Sequence, residues 1–270
     1  MTRFDASWLE LREPADLQAR NPDLLRTVAA ALGASGGVVV DLGCGTGATF
    51  RALSPWLLAP VRWRLIDNDR SLLDAAMVSI GALAEAVQLD LAQLDELPLR
   101  DATFVTASAL FDLCAASFIE ALADRLAERR LDLYAALNYD GTIIWSPLHE
   151  SDGAIVALFN RHQRSDKGMG QALGPEAGRA LADTFAALGY DVIRADSAWQ
   201  LSQGVEALQI AFIEGVARAV AETGGMAAAE LRDWRTFRLA TLKTGASCRV
   251  GHVDVLARPP DARRHEPQRH

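Results

Sequence analysis

The chain reads as an α/β protein: a seven-stranded, mostly parallel sheet with helices on both faces, an antiparallel last strand, and a helical lid or insertion. Three observations predict this. Short runs rich in Val, Ile, Leu and Ala alternate with stretches of helical spacing from residue 15 to about 198. Strands that apolar are covered on both faces, and repeated strand–helix units of this size pair in parallel. The chain then closes with "CRVGHVDVLA" (248–257), a strand with no helix after it.

Taken in order, helical spacing appears at 15–32 through Leu17, Leu24, Leu25 and Val28. "VVVDL" (38–42) is a short apolar run of strand type, and 46–58 returns to helix before Pro60. "VRWRLID" (61–67) alternates as a strand, "RSLLDAAMVSI" (70–80) is a helix, and "AVQLD" (86–90) and "TFVTASALF" (103–111) are strands. A helix over 115–130 leads to the extended segments 131–139 and 142–145. Helices follow at 153–165 and from Pro175 to Leu188, the latter stopped by Gly189. "DVIRAD" (191–196) is a strand, and two helices, about 204–222 and 227–243, precede the closing strand. One domain over 1–258 is expected, with N-terminal lid helices at 5–32, a ligand-binding core at 35–145 and a helical insertion at 203–245; 259–270 is read as a disordered tail.

The 270 residues suffice for one large core, and 50% hydrophobic with 23% charged is ordinary for a soluble globular chain. A net charge of −8 argues against a nucleic-acid partner, which wants a basic face. No stretch approaches the ~20 apolar residues of a membrane span, so no membrane partner is expected, and the start lacks the apolar run of a signal peptide. Cys44, Cys114 and Cys248 lie far apart, with no C-x-x-C. They read as reduced thiols of a cytoplasmic protein, not as a zinc site or disulfide framework.

The chemistry concentrates in "VVVDLGCGTGATF" (38–50). A strand runs into an acid and then glycine at 43, 45 and 47, and a helix opens behind them. Helix N-termini offer unpaired N–H groups, and glycines let a ligand lie against the backbone. This is a nucleotide-type site at the carboxyl edge of an α/β sheet. "GCGTGA" fits the dinucleotide fingerprint formally. Asp41, however, puts an acid where a pyrophosphate would be repelled and an amine welcomed. Asp67 ends the second strand, where it can accept from both ribose hydroxyls, and Asp90 ends the third, where it can accept from an exocyclic amine. A cationic tail, a ribose and an adenine together describe S-adenosylmethionine better than NAD.

"VVVDLGCGTG", "LIDNDRSLLDAA", "VQLDLAQLDELPL" and "TFVTASALFDL" resemble, in order and spacing, the four motifs of class I S-adenosylmethionine-dependent methyltransferases, over roughly 35–145. The resemblance implies a Rossmann-like fold and methyl transfer, with S-adenosylhomocysteine as product. It implies that the Gly43 carbonyl holds the methionyl amine with help from Asp41, and that Gly45 and Gly47 permit close packing. Asp67 would bind the ribose hydroxyls, Asn68 would lie along the adenosine, and Asp90 would take the adenine amine with the Leu91 backbone beside the ring. Ser108 and Ala109 would face the methionine portion. An N-terminal lid helix of the kind common in this class would let Arg12 or Arg20 pair with the methionine carboxylate.

The acceptor side is less marked. Phe111 and Asp112 follow strand four; Asn138, Tyr139 and Asp140 follow strand five; "FNRHQRSDKG" (159–168) carries His162. Tyr139 and His162 are expected nearest the methyl, with His162 as base. His252, inside the last strand, reads as a core histidine. Asp112 with Asn138 or Asp140 is only loosely similar to the magnesium ligands of catechol-type enzymes, and no metal is expected. No [DN]-P-P-[YF] motif follows strand four, which disfavours methylation of bases or amides. The insertion at 203–245 points to an enclosed pocket and a small-molecule substrate, in a monomer or homodimer. Two alternatives stand beside this reading: a non-catalytic S-adenosylmethionine-binding protein, and an NAD-dependent oxidoreductase.

Overall fold

The computed structural model describes residues 6–260. Eight strands form one sheet: Val38–Leu42 (β1), Arg62–Asp67 (β2), Ala84–Gln88 (β3), Ala102–Ser108 (β4), Asp132–Ser146 (β5), Asp191–Asp196 (β6), Trp199–Leu201 (β7) and Ser247–Arg258 (β8). The order is β3-β2-β1-β4-β5-β8-β6, with β7 also on β8. Strands β1 to β5 pair in parallel, while β8 runs antiparallel to β5, β6 and β7. The expected mostly parallel sheet with an antiparallel last strand is therefore present, with one strand more than the seven expected. That extra strand, β7, is three residues long, too short for alternation to register, and it forms only because β8 extends far enough to pair with it.

Nine helices are described: Ala6–Ala19 (α1), Pro22–Ser35 (α2), Ala48–Leu53 (α3), Arg70–Ile80 (α4), Ala116–Arg129 (α5), Asp152–Gln163 (α6), Ala177–Ala187 (α7), Glu206–Glu222 (α8) and Ala228–Thr241 (α9). The single helical stretch expected over 15–32 is two helices. Asn21 is extended and its side chain accepts from the N–H groups of Asp23 and Leu24, and Pro22 occupies the first turn of α2, so the chain must restart there. The helix expected over 46–58 stops at Leu53 and tightens into a short 3-10 turn at Ser54–Trp56. The two extended segments expected at 131–139 and 142–145 are one strand, bent by irregularities on either side of Asn138–Tyr139. Asp140 accepts from the Thr142 N–H across the second bend. From residue 261 onward, the tail read as disordered lies outside the described residues.

Alternation along β1 distributes the core. Val40 and Leu42 face α5 and α7 through Ile119, Leu122, Leu181 and Phe185. Val39 faces the other way, onto α2 and α4 through Leu25, Val28, Leu73 and Ala76. Beyond the carboxyl edge, the long ends of β5 and β8 carry a third cluster with α1, α6, α8 and α9. Trp234 is fully buried there and donates to Asp152 Oδ1 at 2.9 Å, and the buried Arg238 pairs with the same carboxylate. This ties α9 to the start of α6. Among the described residues no helix is long and apolar enough to cross a membrane.

Candidate functional site

The glycine loop leaves β1 at the point where the strand order reverses, between β1 and β4. In open α/β sheets that is where a crevice opens. Gly43, Gly45 and Gly47 have φ of +61°, +54° and +87°, a backbone region that side-chain-bearing residues rarely adopt. At Gly47 space is tight as well, since a Cβ would lie 2.9 Å from Ile80 Cδ1 and that side chain would have to shift. The Cys44 N–H donates to Ile66 O at 3.0 Å, which stitches the loop to β2. Asp67 completes the stitching: Oδ2 accepts from the Gly45 N–H and Oδ1 from the Asp69 N–H, each at 2.9 Å. Asp67 is buried, and burial raises its pKa against the pull of these N–H groups. A carboxylate has about four acceptor positions, so two backbone bonds leave room for others. Asp69 caps α4 through the Ser71 N–H.

A cavity lies over this loop. Gly43, Gly45, Asp67, Asn68, Ser108 and Ala109 line it from the sheet edge, as does Cys44. Leu9, Arg12 and Asp16 of α1 close it from above. A Cβ on Gly45 would stand 3.3 Å from Leu9 Cδ1, so α1 rests almost on the loop. Arg12 is held by Asp16 in a two-pronged pair at 2.8 and 3.1 Å. The structure thus gathers most of the residues read from the motifs. Cys44 is buried, and burial raises its thiol pKa, leaving it an inert wall.

Asp41 and Arg20 stand one layer behind the lining. Asp41 is fully buried; Oδ1 accepts from Thr106 at 2.7 Å and Oδ2 has no partner. Burial pushes its carboxyl up to about 7, against the Thr106 hydrogen bond and the nearby Arg20 charge. Arg20, also buried, donates from Nη2 to the cavity-lining Ser108 Oγ at 2.9 Å, while Nη1 is unpartnered. Two orphaned polar atoms, a carboxyl oxygen and a guanidinium nitrogen, therefore stand behind the lining. That fits a ligand bearing both an amine and a carboxylate.

Other expected residues lie elsewhere. Asp90 is exposed in the turn after β3, accepts from the Ala92 N–H at 3.0 Å, and does not line the cavity; the Leu91 side chain points into the core. His162 requires correction. Packing of Ile155 and Phe159 against the third core cluster turns His162 to a separate groove, bounded by α1, α6 and α8. There its Nε2 meets Glu222 Oε2 at 2.8 Å, outside the glycine-loop cavity. Tyr139 is buried and its hydroxyl donates to Asn160 Oδ1 at 2.8 Å. Burial raises its pKa, so the hydroxyl stays protonated, and Tyr139 is not among the residues that line the glycine-loop cavity.

Leu9, Asp16, Leu110 and Leu113 also line the cavity and went unread. They are ordinary in type, and only the tertiary position of α1 and the turn after β4 brings them there. Asp254 was missed too. Fully buried, it accepts from Tyr134 Oη and the Leu137 N–H at 2.8 Å each, and from the Asn21 N–H at 3.4 Å. It thereby fixes the α1–α2 junction to the sheet.

No protein-family model and no curated protein matches the chain. Solved structures do. A proposed methyltransferase from Bacillus halodurans aligns at TM-score 0.52 and 15% identity, covering 88% of this chain and 98% of that one. The YcgJ protein from Bacillus subtilis aligns at TM-score 0.50 and 12% identity, covering 88% and 97%. The architecture is the Rossmann-like fold of class I methyltransferases.

Proposed function

We propose that the chain binds S-adenosylmethionine over the glycine loop and transfers its methyl group to a small organic molecule. The observation that carries this reading is the convergence on one cavity of a glycine backbone, the Asp67 carboxylate and the Ser108–Ala109 strand end, with the unpartnered Asp41 Oδ2 and Arg20 Nη1 behind it. When bound, the sulfonium supplies a methyl group that is already activated.

What remains for the chain is to bind, orient and exclude water. The Gly43 carbonyl and Asp41 take the methionyl amine, and Arg20 the carboxylate. Gly45 and Gly47 let the backbone approach. Asp67 accepts from the ribose hydroxyls, and Asn68 lies along the adenosine. Ser108 and Ala109 face the methionine portion. Leu9 of α1 seals the loop from above. Well-aligned proximity of this kind is worth roughly 7–11 kcal/mol in favourable cases.

Thermal melts with S-adenosylhomocysteine and, separately, NADH test the reading. A ligand at 100 times its dissociation constant stabilises by about 2.7 kcal/mol. S-adenosylhomocysteine is expected to raise the melting temperature and NADH to leave it unchanged. The reverse result overturns the proposal.

A further inference from the structure

Helix α1 separates two spaces. Leu9, Arg12 and Asp16 turn to the glycine loop, while Trp8 and Leu11 of the same helix line the groove it shares with α6 and α8. That groove holds about 630 Å³, within the roughly 300–1,000 Å³ usual for small-molecule sites. Its apolar wall is Trp8, Leu11, Phe159, Phe212 and Val216. The rings brace one another: Phe159 and Phe212 have centroids 6.4 Å apart, and Trp199 stands 6.4 Å from Trp8 and 6.1 Å from Phe212. Tilted and edge-on contacts of this kind leave ring faces and edges to receive another flat ring.

Gly215 adds an independent observation. It lies in the interior of α8 and lines the groove. Its φ is not in the left-handed region, and a Cβ there would meet nothing within 4 Å. Neither backbone strain nor crowding calls for glycine, and glycine weakens a helix interior. What the missing side chain does is keep the groove open.

The polar rim has a surplus of donors. Glu214 is taken by Arg235, which donates from both Nε, at 2.8 Å, and Nη2. Glu222 Oε2 meets His162 Nε2 at 2.8 Å, and Lys167 stands behind that ring with Nζ 3.5 Å from Nδ1. Arg218 lies on α8 one turn from each acid, and its charge reaches Glu214. Yet the Arg218 guanidinium, the Gln163 amide and the Trp8 indole N–H, all on residues that line the groove, have no hydrogen-bond partner among the described residues. The acids are engaged and the donors are not, so the complementary ligand brings acceptors and negative charge. Glu214 and Glu222 on either side of Arg218 favour a single negative charge over a double one.

We propose that this groove is a second small-molecule site that takes an aryl carboxylate, its ring among Trp8, Phe159 and Phe212 and its carboxylate on Arg218 with help from Gln163. The site lies on the opposite face of α1 from the glycine loop, and it stands or falls apart from the methyl-donor reading.

The test is calorimetric titration of the full chain at low salt with three matched compounds: 2-naphthylacetate, the neutral 2-naphthylacetamide and the cationic 2-(2-naphthyl)ethylamine. The acid is expected to bind about fivefold tighter than the amide, the upper end for a partly solvated ion pair, and the amine more weakly still. The gap between acid and amide should shrink at high salt and close in Arg218→Gln. Gly215→Leu, which meets no neighbour at Cβ and suits a helix better, should melt no lower than wild type and bind none of the three. Four results each overturn the site: no binding by any compound, amide or amine binding as tightly as acid, a gap that survives Arg218→Gln, or binding that survives Gly215→Leu.

Discussion

The two ends of the crevice are built by opposite means. The glycine-loop end comes from short-range chemistry: positive-φ glycines, an acid one strand away, and backbone N–H groups that meet its carboxylate within residues 41–69. The far end, behind α1, is assembled from Arg12, Tyr139, Trp199 and His252, which share no neighbourhood in the chain and meet only through packing of α1 and β8. The first kind of site survives loosening of its surroundings, because its geometry is written in the backbone. The second exists only while the tertiary structure holds.

Substitutions can sharpen or break this contrast. The largest effect is expected at Trp199, 3% exposed and joined to Asp16, Arg12 and His252. Trp199→Ala should cost about 3–5 kcal/mol in denaturant unfolding, the range for a buried tryptophan. A loss below about 1 kcal/mol would show that packing does not hold the far end. Next comes Asp67→Ala, which should weaken S-adenosylhomocysteine binding by about 1.5–3 kcal/mol, as for hydrogen bonds to a charged group. Unchanged calorimetric affinity would remove Asp67 from the ribose.

The smallest effect is a matter of pH. Burial raises Asp41 from an ordinary 3.8 to about 7, so the fold favours its protonated form. That contribution is complete below the unfolded value and is lost as pH rises through about 7. Wild type should therefore lose more melting temperature than Asp41→Asn between pH 5 and 8, by a few degrees. Parallel profiles would mean that Arg20 and Thr106 offset the burial of the charge in full.

The same contrast explains what could be read from the chain. The helix at 70–80 and the strand at 191–196 match the structure end to end, because local periodicity and the Asp69 cap determine them. Asp67, Asn68, Ser108 and Ala109 were legible because strand ends place them on the crevice by rule. His162 misled because a polar helix face looks alike whether it turns to a crevice or to a neighbouring helix; Glu222, 60 residues away, decides that. His252 was rightly read as a core residue in type, but nothing local tells that its partners are Tyr139 and Trp199. Asn21 and Pro22 did carry a legible break, a cap followed by a first-turn proline, which the longer apolar spacing of 15–32 masked.

The placement of β8 has a consequence for how the molecule comes into being. This strand follows every other described element, yet it lies inside the sheet, between β5 and β6, with β7 resting on it as well. Strands β1 to β4 have their neighbours as soon as β5 is made; β5 lacks one neighbour, and β6 and β7 have none, until β8 arrives. Assembly is thus ordered: an early parallel sheet, then late insertion that must close long loops before any contact rewards it. During that interval the edge of β5 is open, an interval in which strand edges are most prone to pair with the wrong chain. His252 and Asp254 travel on that strand, so the far end of the crevice and the brace at the α1–α2 junction are the last features to appear. The strands that carry the glycine loop have their neighbours long before that brace exists.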